Sequence, residues 1–169
     1  MPLFETDNLA LHLMTEADAP FYLEMLNDPD FKNNIADRGL KTVADALKNM
    51  QERVFASYEA HGFGMFLVRR KSDGEAIGMA GLVQRDFLKD IDVGYAFLPI
   101  GRGQGFATEA AAACVEYARR EHGARRLAAI TDPDNLASIR VLERLGFRYQ
   151  GSVQFPDDGD TCSHFLLDL

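Results

Sequence analysis

Three groups of residues in this sequence could do chemistry together. The first is a glycine-spaced turn, Gly101-Arg102-Gly103-Gln104-Gly105, which runs into Phe106-Ala107-Thr108-Glu109-Ala110 and an alanine-rich continuation. A strand-like run over 91–98 precedes it and a helical run over 107–120 follows. The first turn of a helix has backbone N–H groups without intrahelical partners and sits at the positive end of the helix dipole. Glycines in front of it let an anion approach the backbone closely, so the stretch suits a diphosphate. It is not a P-loop, which needs Gly-Lys-Ser/Thr, and not a dinucleotide fingerprint, which needs G-x-G-x-x-G. The second group is acidic, Asp92 on the strand that feeds this turn, with Asp90 in the turn before that strand. The third is Asn135-Leu136-Ala137-Ser138, opening a helix that runs through Leu142-Glu143-Arg144-Leu145 to Gly146-Phe147.

The pattern Arg102-x-x-Gly105-x-Ala107 resembles the acetyl-CoA loop of the GCN5-related N-acetyltransferases. The neighbouring G-x-G-F-A-T-E-A spelling is similar to the subgroup that acetylates ribosomal protein N-termini. The N-x-x-S and L-G-F pattern from Asn135 to Phe147 resembles that family's second cofactor motif. The opening, from Glu5-Thr6-Asp7 to Asn27-Asp28-Pro29, resembles the subgroup's opening, with His12 where an arginine is commoner. The likeness extends over nearly the whole chain. It implies an α/β (α+β) fold with a mixed, mostly antiparallel central sheet flanked by helices. It also implies transfer of an acetyl group from acetyl-CoA to a primary amine, directly in a ternary complex. The acceptor so implied is a protein N-terminus or a small-molecule amine.

Such a transfer makes three demands. An ammonium with a pKa of about 10 must lose its proton before it attacks, and the family usually supplies a strand carboxylate, which matches Asp92, with Asp90 second. The developing oxyanion needs a fixed donor; the resemblance implies a backbone N–H near Val93-Gly94-Tyr95, where Gly94 would permit a bulge. The departing thiolate needs a proton or hydrogen bond. Many relatives have a tyrosine where this chain has Leu142, and Ser138 is the alternative, although its hydroxyl could instead bond its own backbone. Asn135 either holds the pantetheine amide or caps its helix; the cofactor contact is favoured. The remaining cofactor contacts expected are the backbone of Phe97 and Leu98 and the run Arg102, Gly103, Gln104, Gly105, Phe106, Ala107 and Thr108. The Arg102 side chain either adds charge or stays solvated. Leu142 keeps a second reading open, a non-catalytic acyl-CoA-binding sensor.

Elements to position these groups are legible in order. Leu9, Leu11 and Leu13 alternate with Asn8, Ala10 and His12 as in a half-buried strand, turning His12 away. Thr15-x-x-Asp18 and Thr42-x-x-Asp45 open two helices, the first carrying Phe21, Leu23, Met25 and Leu26 and stopped by Asn27-Asp28-Pro29. Val43, Leu47, Met50, Val54 and Tyr58 form one core stripe on the second. The polar stretch 30–40 reads as a loop, which the resemblance places over the acceptor pocket. Strands are predicted over 65–70, 77–84, 91–98 and 127–130, and a closing hairpin over 147–154 and 163–168 with a turn at 157–160.

Composition bounds the rest. The 169 residues, 47% of them hydrophobic, suit one domain over 1–169. A net charge of −8 argues against nucleic acid or acidic lipid as partner and is compatible with a basic acceptor. Cys114 and Cys162 lack metal-ligand spacing, so no metal is expected, and Cys114 reads as a buried hydrophobe. Without a long apolar run or a basic-then-apolar leader, a cytoplasmic protein is expected, monomer or homodimer.

Overall fold

A computed structural model describes residues 1–156 and 159–169. Eight strands form one sheet in the order β1-β2-β3-β4-β5-β6-β8-β7. They are β1 (Phe4–Glu5), β2 (Leu9–His12), β3 (Met65–Arg70), β4 (Ala76–Val83), β5 (Ile91–Phe97), β6 (Arg126–Thr131), β7 (Arg148–Gln154) and β8 (Thr161–Asp168). Every pairing among the described residues is antiparallel except β5 with β6. The sheet is therefore mixed and mostly antiparallel, with apolar side chains on both faces.

Helices cover those faces. One side carries α1 (Ala19–Asn27), α2 (Pro29–Asn34) and α3 (Val43–Met50), whose Tyr22, Met25, Phe31 and Met50 pack with Leu67 and Met79 of the sheet. The other side carries α5 (Phe106–His122) and α6 (Leu136–Arg144). There Ala110, Ala111, Cys114 and Leu142 meet Phe66, Val68 and Val93. Phe66 and Val68 face one way and Leu67 the other, the period-two consequence of the pleat. Between α3 and α4 (Ala56–His61) lies a π-helical turn over Gln51–Phe55, and Gly62, with φ +76°, ends the run.

Four expectations are corrected. Residues 29–34 are not loop but α2, because Asp28 both ends α1 and caps the next helix, its Oδ2 accepting from the amides of Asp30 and Phe31 at 3.2 and 3.4 Å, with Pro29 in the first turn. Val43 does not join the core stripe: it is 46% exposed at the start of α3, while Ala46, Met50 and Val54 are buried. Leu13 lies beyond the end of β2 and is 49% exposed. Short β1, absent from the sequence reading, pairs with β2. The expected turn at 157–160 includes Asp157 and Asp158, which lie outside the described residues.

Candidate active site

Strand β5 opens the site by what it fails to pair with. On one edge it pairs with β4 without a register shift, from Gly78↔Phe97 to Val83↔Asp92. On the other it meets β6 only at Ile91↔Leu127 and Asp92↔Ala128. Beyond those pairs the strands part, since β6 keeps to its other neighbour, β8, through all six residues. The opening therefore comes from β6 leaving, and no bulge forms at Gly94. The Leu98 amide donates to Ile77 O at 2.9 Å. By the alternation of antiparallel bonding, residues 92, 94 and 96 also point their N–H groups at β4, and Tyr95 and Phe97 point theirs into the gap. The Phe97 carbonyl accepts from Arg102 Nε at 3.0 Å.

At the end of β5, the glycine turn delivers the chain to α5. Gly105 caps the helix at φ +81° and Gly103 has φ +73°. Both face open space where a Cβ would stand. The Glu109 amide reaches back to Gly105 O at 3.1 Å; the amides before it belong to a first turn with no intrahelical carbonyl to reach. The Glu109 carboxylate would oppose an anion here, but it is turned to the β1–β2 corner. It accepts from Thr6 Oγ1 at 2.5 Å and from the amide and side chain of Asn8 at 2.9 and 3.1 Å. Burial works against its charge, yet these bonds and Lys71 hold its pKa below the usual range. Arg102 does not face the turn's exterior: besides Phe97 O it pairs with Asp28 through Nη2 and with Asp30 through Nη1 at 2.8 Å. Gln104 Nε2 donates to Ile100 O at 3.0 Å. What this loop offers an anion is backbone.

Asp92 sits where β5 and β6 part, 2% exposed. Its Oδ2 accepts from Arg85 Nε at 2.8 Å, and the Arg85 guanidinium lies over the Phe155 ring, 5.6 Å from its centroid. Oδ1 is buried and has no hydrogen-bond partner. Burial pushes the Asp92 pKa up to about 6, against the charge and hydrogen bond of Arg85 and a smaller pull from the Ile130 amide, which lies outside bonding geometry to Oδ1. A buried polar atom without a partner costs free energy and is rare; here the residue that carries it lines a cavity of about 500 Å³. Asp90, the other candidate, is outside that cavity and paired with Arg126 at 3.1 Å.

Across the gap, Ser138 Oγ meets the Tyr95 hydroxyl at 2.8 Å, and Ser138 O accepts from the same hydroxyl at 3.2 Å. Burial pushes the Tyr95 phenol up to about 12. Asn135 Oδ1 accepts the Ser138 amide at 3.2 Å, so that oxygen caps α6. Leu142 is buried in the core beside the cavity. The Tyr95 side chain is a functional candidate that sequence reasoning missed, having looked only at its backbone. The available signal was a phenol on the cavity-lining strand, but its partner is 43 residues away in sequence. Cys114 is buried, which pushes its thiol up and leaves it a packing residue.

One cavity thus contains Asp92, Tyr95, Ser138 and Asn135 and reaches α1, α2 and the segment after α2 through Tyr22, Phe31 and Arg38. Phe97, Arg102 and Ala107 also line it; Leu98, Gly103, Gln104, Gly105, Phe106 and Thr108 do not, and Leu98 is buried among α1–α3 residues with its amide bonded to Ile77 O and its carbonyl to the Gly101 amide. Among the described residues no cluster of His, Cys, Asp or Glu could hold a metal ion, and no helix is long and apolar enough to cross a membrane.

Comparison with known proteins gives the following. The acetyltransferase (GNAT) domain model matches residues 8–148. The Bacillus subtilis protein YkkB is 30% identical over 152 residues, covering 88% of this chain and 87% of that one. The N-acetyltransferase YoaA of the same organism is 28% identical over 156 residues, covering 90% and 86%. Among solved structures, RimL, a ribosomal L7/L12 α-N-protein acetyltransferase in complex with coenzyme A, shares the fold with a TM-score of 0.81 at 18% identity, covering 97% of this chain and 96% of that one.

Proposed function

Because the chain belongs to the acetyltransferase (GNAT) family and is an N-acetyltransferase that uses acetyl-CoA, we propose that it acetylates a primary amine by direct transfer, with Asp92 as base. The amine is a protein N-terminus or a small molecule. Acetyl-CoA supplies the acetyl thioester. Its diphosphate suits the backbone of Gly103 to Thr108, where two glycines leave open space. Its pantetheine arm suits the gap-facing edge of β5 at Tyr95 and Phe97, with the Asn135 carboxamide nitrogen and Ser138 opposite.

The observation that carries this reading is Asp92, which lines the cavity and keeps its buried Oδ1 without a partner. With a pKa near 6, Asp92 is mostly ionised at neutral pH and takes the amine proton at Oδ1, while Arg85 fixes Oδ2. The Tyr95 amide, turned into the gap, donates to the oxygen that gains negative charge. The paired hydroxyls of Tyr95 and Ser138 stand where a thiolate needs a donor. Since burial keeps the phenol protonated, the pair acts by hydrogen bonding and not by ionising. Tyr95 so supplies a hydroxyl that Leu142, which had kept a sensor reading open, does not. We further propose one N-acetyltransferase domain over 1–169, cytoplasmic, monomer or homodimer, with no nucleic-acid or membrane partner.

A thiol-release assay with acetyl-CoA and a panel of amines tests this. Amine-dependent CoA release is expected, falling about 10²- to 10⁴-fold in Asp92→Asn with acetyl-CoA binding retained. Binding of acetyl-CoA without amine-dependent release on any acceptor would restore the sensor reading.

A further inference from the structure

The cavity is lined by four arginines and four aspartates, Asp28, Asp30, Asp92 and Asp132, but their charges are unevenly paired. The arginines are Arg38, Arg53, Arg85 and Arg102. Arg85 is neutralised by Asp92, and Arg102 by Asp28 and Asp30. Arg38 and Arg53 have no ion pair among the described residues. They are near one another and near Arg85: burial first, then the charges of Arg53 and Arg85, lower the Arg38 pKa, with Tyr22 opposing. Tyr22 cannot answer them as a phenolate, since burial pushes it up to about 12 and its hydroxyl donates to Asn49 Oδ1 at 2.7 Å.

The backbone contributes to this arrangement. Arg53 and Val54, both at the cavity, lie within the π-helical turn Gln51–Phe55, where the Ala56 amide bonds to Gln51 O. A π turn inside a helix is rare and frequent at functional sites, because the extra residue re-aims the side chains it carries. Arg38 is half-buried and Arg53 lines the cavity while staying exposed, and two like charges so placed, one of them desolvated, favour an anion between them. A guanidinium fork matches carboxylate or phosphate oxygens.

We infer that the acceptor is an amine that also carries a carboxylate or phosphate, and that Arg38 and Arg53 hold that anionic group while the amine faces Asp92. This rests on the acetyltransferase reading above. It reverses the expectation from net charge: a chain of −8 keeps, among the described residues, two cations without an ion pair at this cavity, so an anionic group on the acceptor is favoured over a polyamine.

Matched acceptors test it: β-alanine against β-alaninamide, phosphoethanolamine against ethanolamine, and the peptide Ser-Glu against Ser-Lys. At least one anionic member is expected to turn over with a kcat/KM tenfold or more above its partner, and which pair responds identifies carboxylate, phosphate or peptide. Arg38→Gln and Arg53→Gln each raise KM for that acceptor about tenfold, leave KM for acetyl-CoA unchanged and remove the preference over the neutral member. Equal or better turnover of the neutral or cationic members overturns the inference while the acetyltransferase reading stands. If no acceptor turns over, that reading is at fault instead, and binding decides the present one. Glutarate, titrated with CoA saturating, should raise the melting temperature of the wild type and not of Arg38→Gln/Arg53→Gln; equal responses overturn it.

Discussion

Asp92 is an acid held at a cost. A carboxyl whose folded pKa exceeds its unfolded value contributes stability only below the unfolded value, and that contribution is lost as pH rises through the folded one. For Asp92 the window runs from 3.8 to about 6, a difference on the order of 3 kcal/mol when the group is fully ionised. Two outcomes follow. The kcat/KM profile should rise with pH through a limb centred near 6 and flatten once Asp92 is ionised, and Asp92→Asn should lack that limb. The variant's melting temperature, relative to wild type, should be more favourable at pH 8 than at pH 4. A wild-type limb that persists in Asp92→Asn would assign the base elsewhere. Asp92 was singled out in the sequence by resemblance, as an acid on the strand leading to the glycine turn, but its burial and its pairing with Arg85 were not legible there. The hydroxyl pair was not: strand periodicity gives the face Tyr95 occupies, but it does not specify which residue of α6 lies opposite. The pairing of Arg102 was not legible for a related reason, since Asp28, one of its partners with Asp30, stands 74 residues earlier.

Elements differ in which glycines they can spare. Gly105 adopts a left-handed conformation with open space beside it, so Gly105→Ala meets a backbone penalty of about 1 kcal/mol or slightly more and no clash. Gly81 is the reverse. A Cβ there would stand 2.0 Å from Gly64 O, where β4 crosses the start of β3. Gly105→Ala should fold, raise KM for acetyl-CoA severalfold and leave kcat nearly unchanged, whereas Gly81→Ala should lose most soluble folded protein, as circular dichroism and steady-state kinetics would report. A Gly105→Ala protein that binds acetyl-CoA as wild type does would separate the diphosphate from this turn. Most element identities were readable from period and caps. The misreadings came where one signal has two meanings: Asp28-Pro29 ends one helix and begins another, and the stripe through Met50, Val54 and Tyr58 has the same spacing whether or not a π turn interrupts it.

The molecule as a whole is two sheet portions, β1 to β5 and β6-β8-β7, joined along the sheet at two residue pairs and spanned by helices. The sequence showed β7 and β8 as a hairpin but not which strand docks on β6. Burial explains the choice: Ser163 and Phe165 are buried on β8, while Arg148 and Tyr149 of β7 are exposed. An inserted β8 occupies the full edge of β6, and the other edge of that strand is left to diverge from β5. The divergence leaves alternate amides of β5 in different states. Those of Gly94 and Ala96 are bonded to β4; those of Tyr95 and Phe97 face a gap in which β6 has no register partner for them. Hydrogen exchange followed by NMR should therefore find Tyr95 and Phe97 faster than Gly94 and Ala96 in the free protein. Saturating acetyl-CoA should slow the first two and the amides of 103–108, because a ligand bound only to the folded state stabilises it by about 2.7 kcal/mol at 100 Kd. Protection spread evenly over 94–97 would indicate general stiffening. Protection absent from Tyr95 and Phe97 would place the coenzyme outside the gap and remove the reason for assigning Asp92, Tyr95 and Ser138 to one reaction.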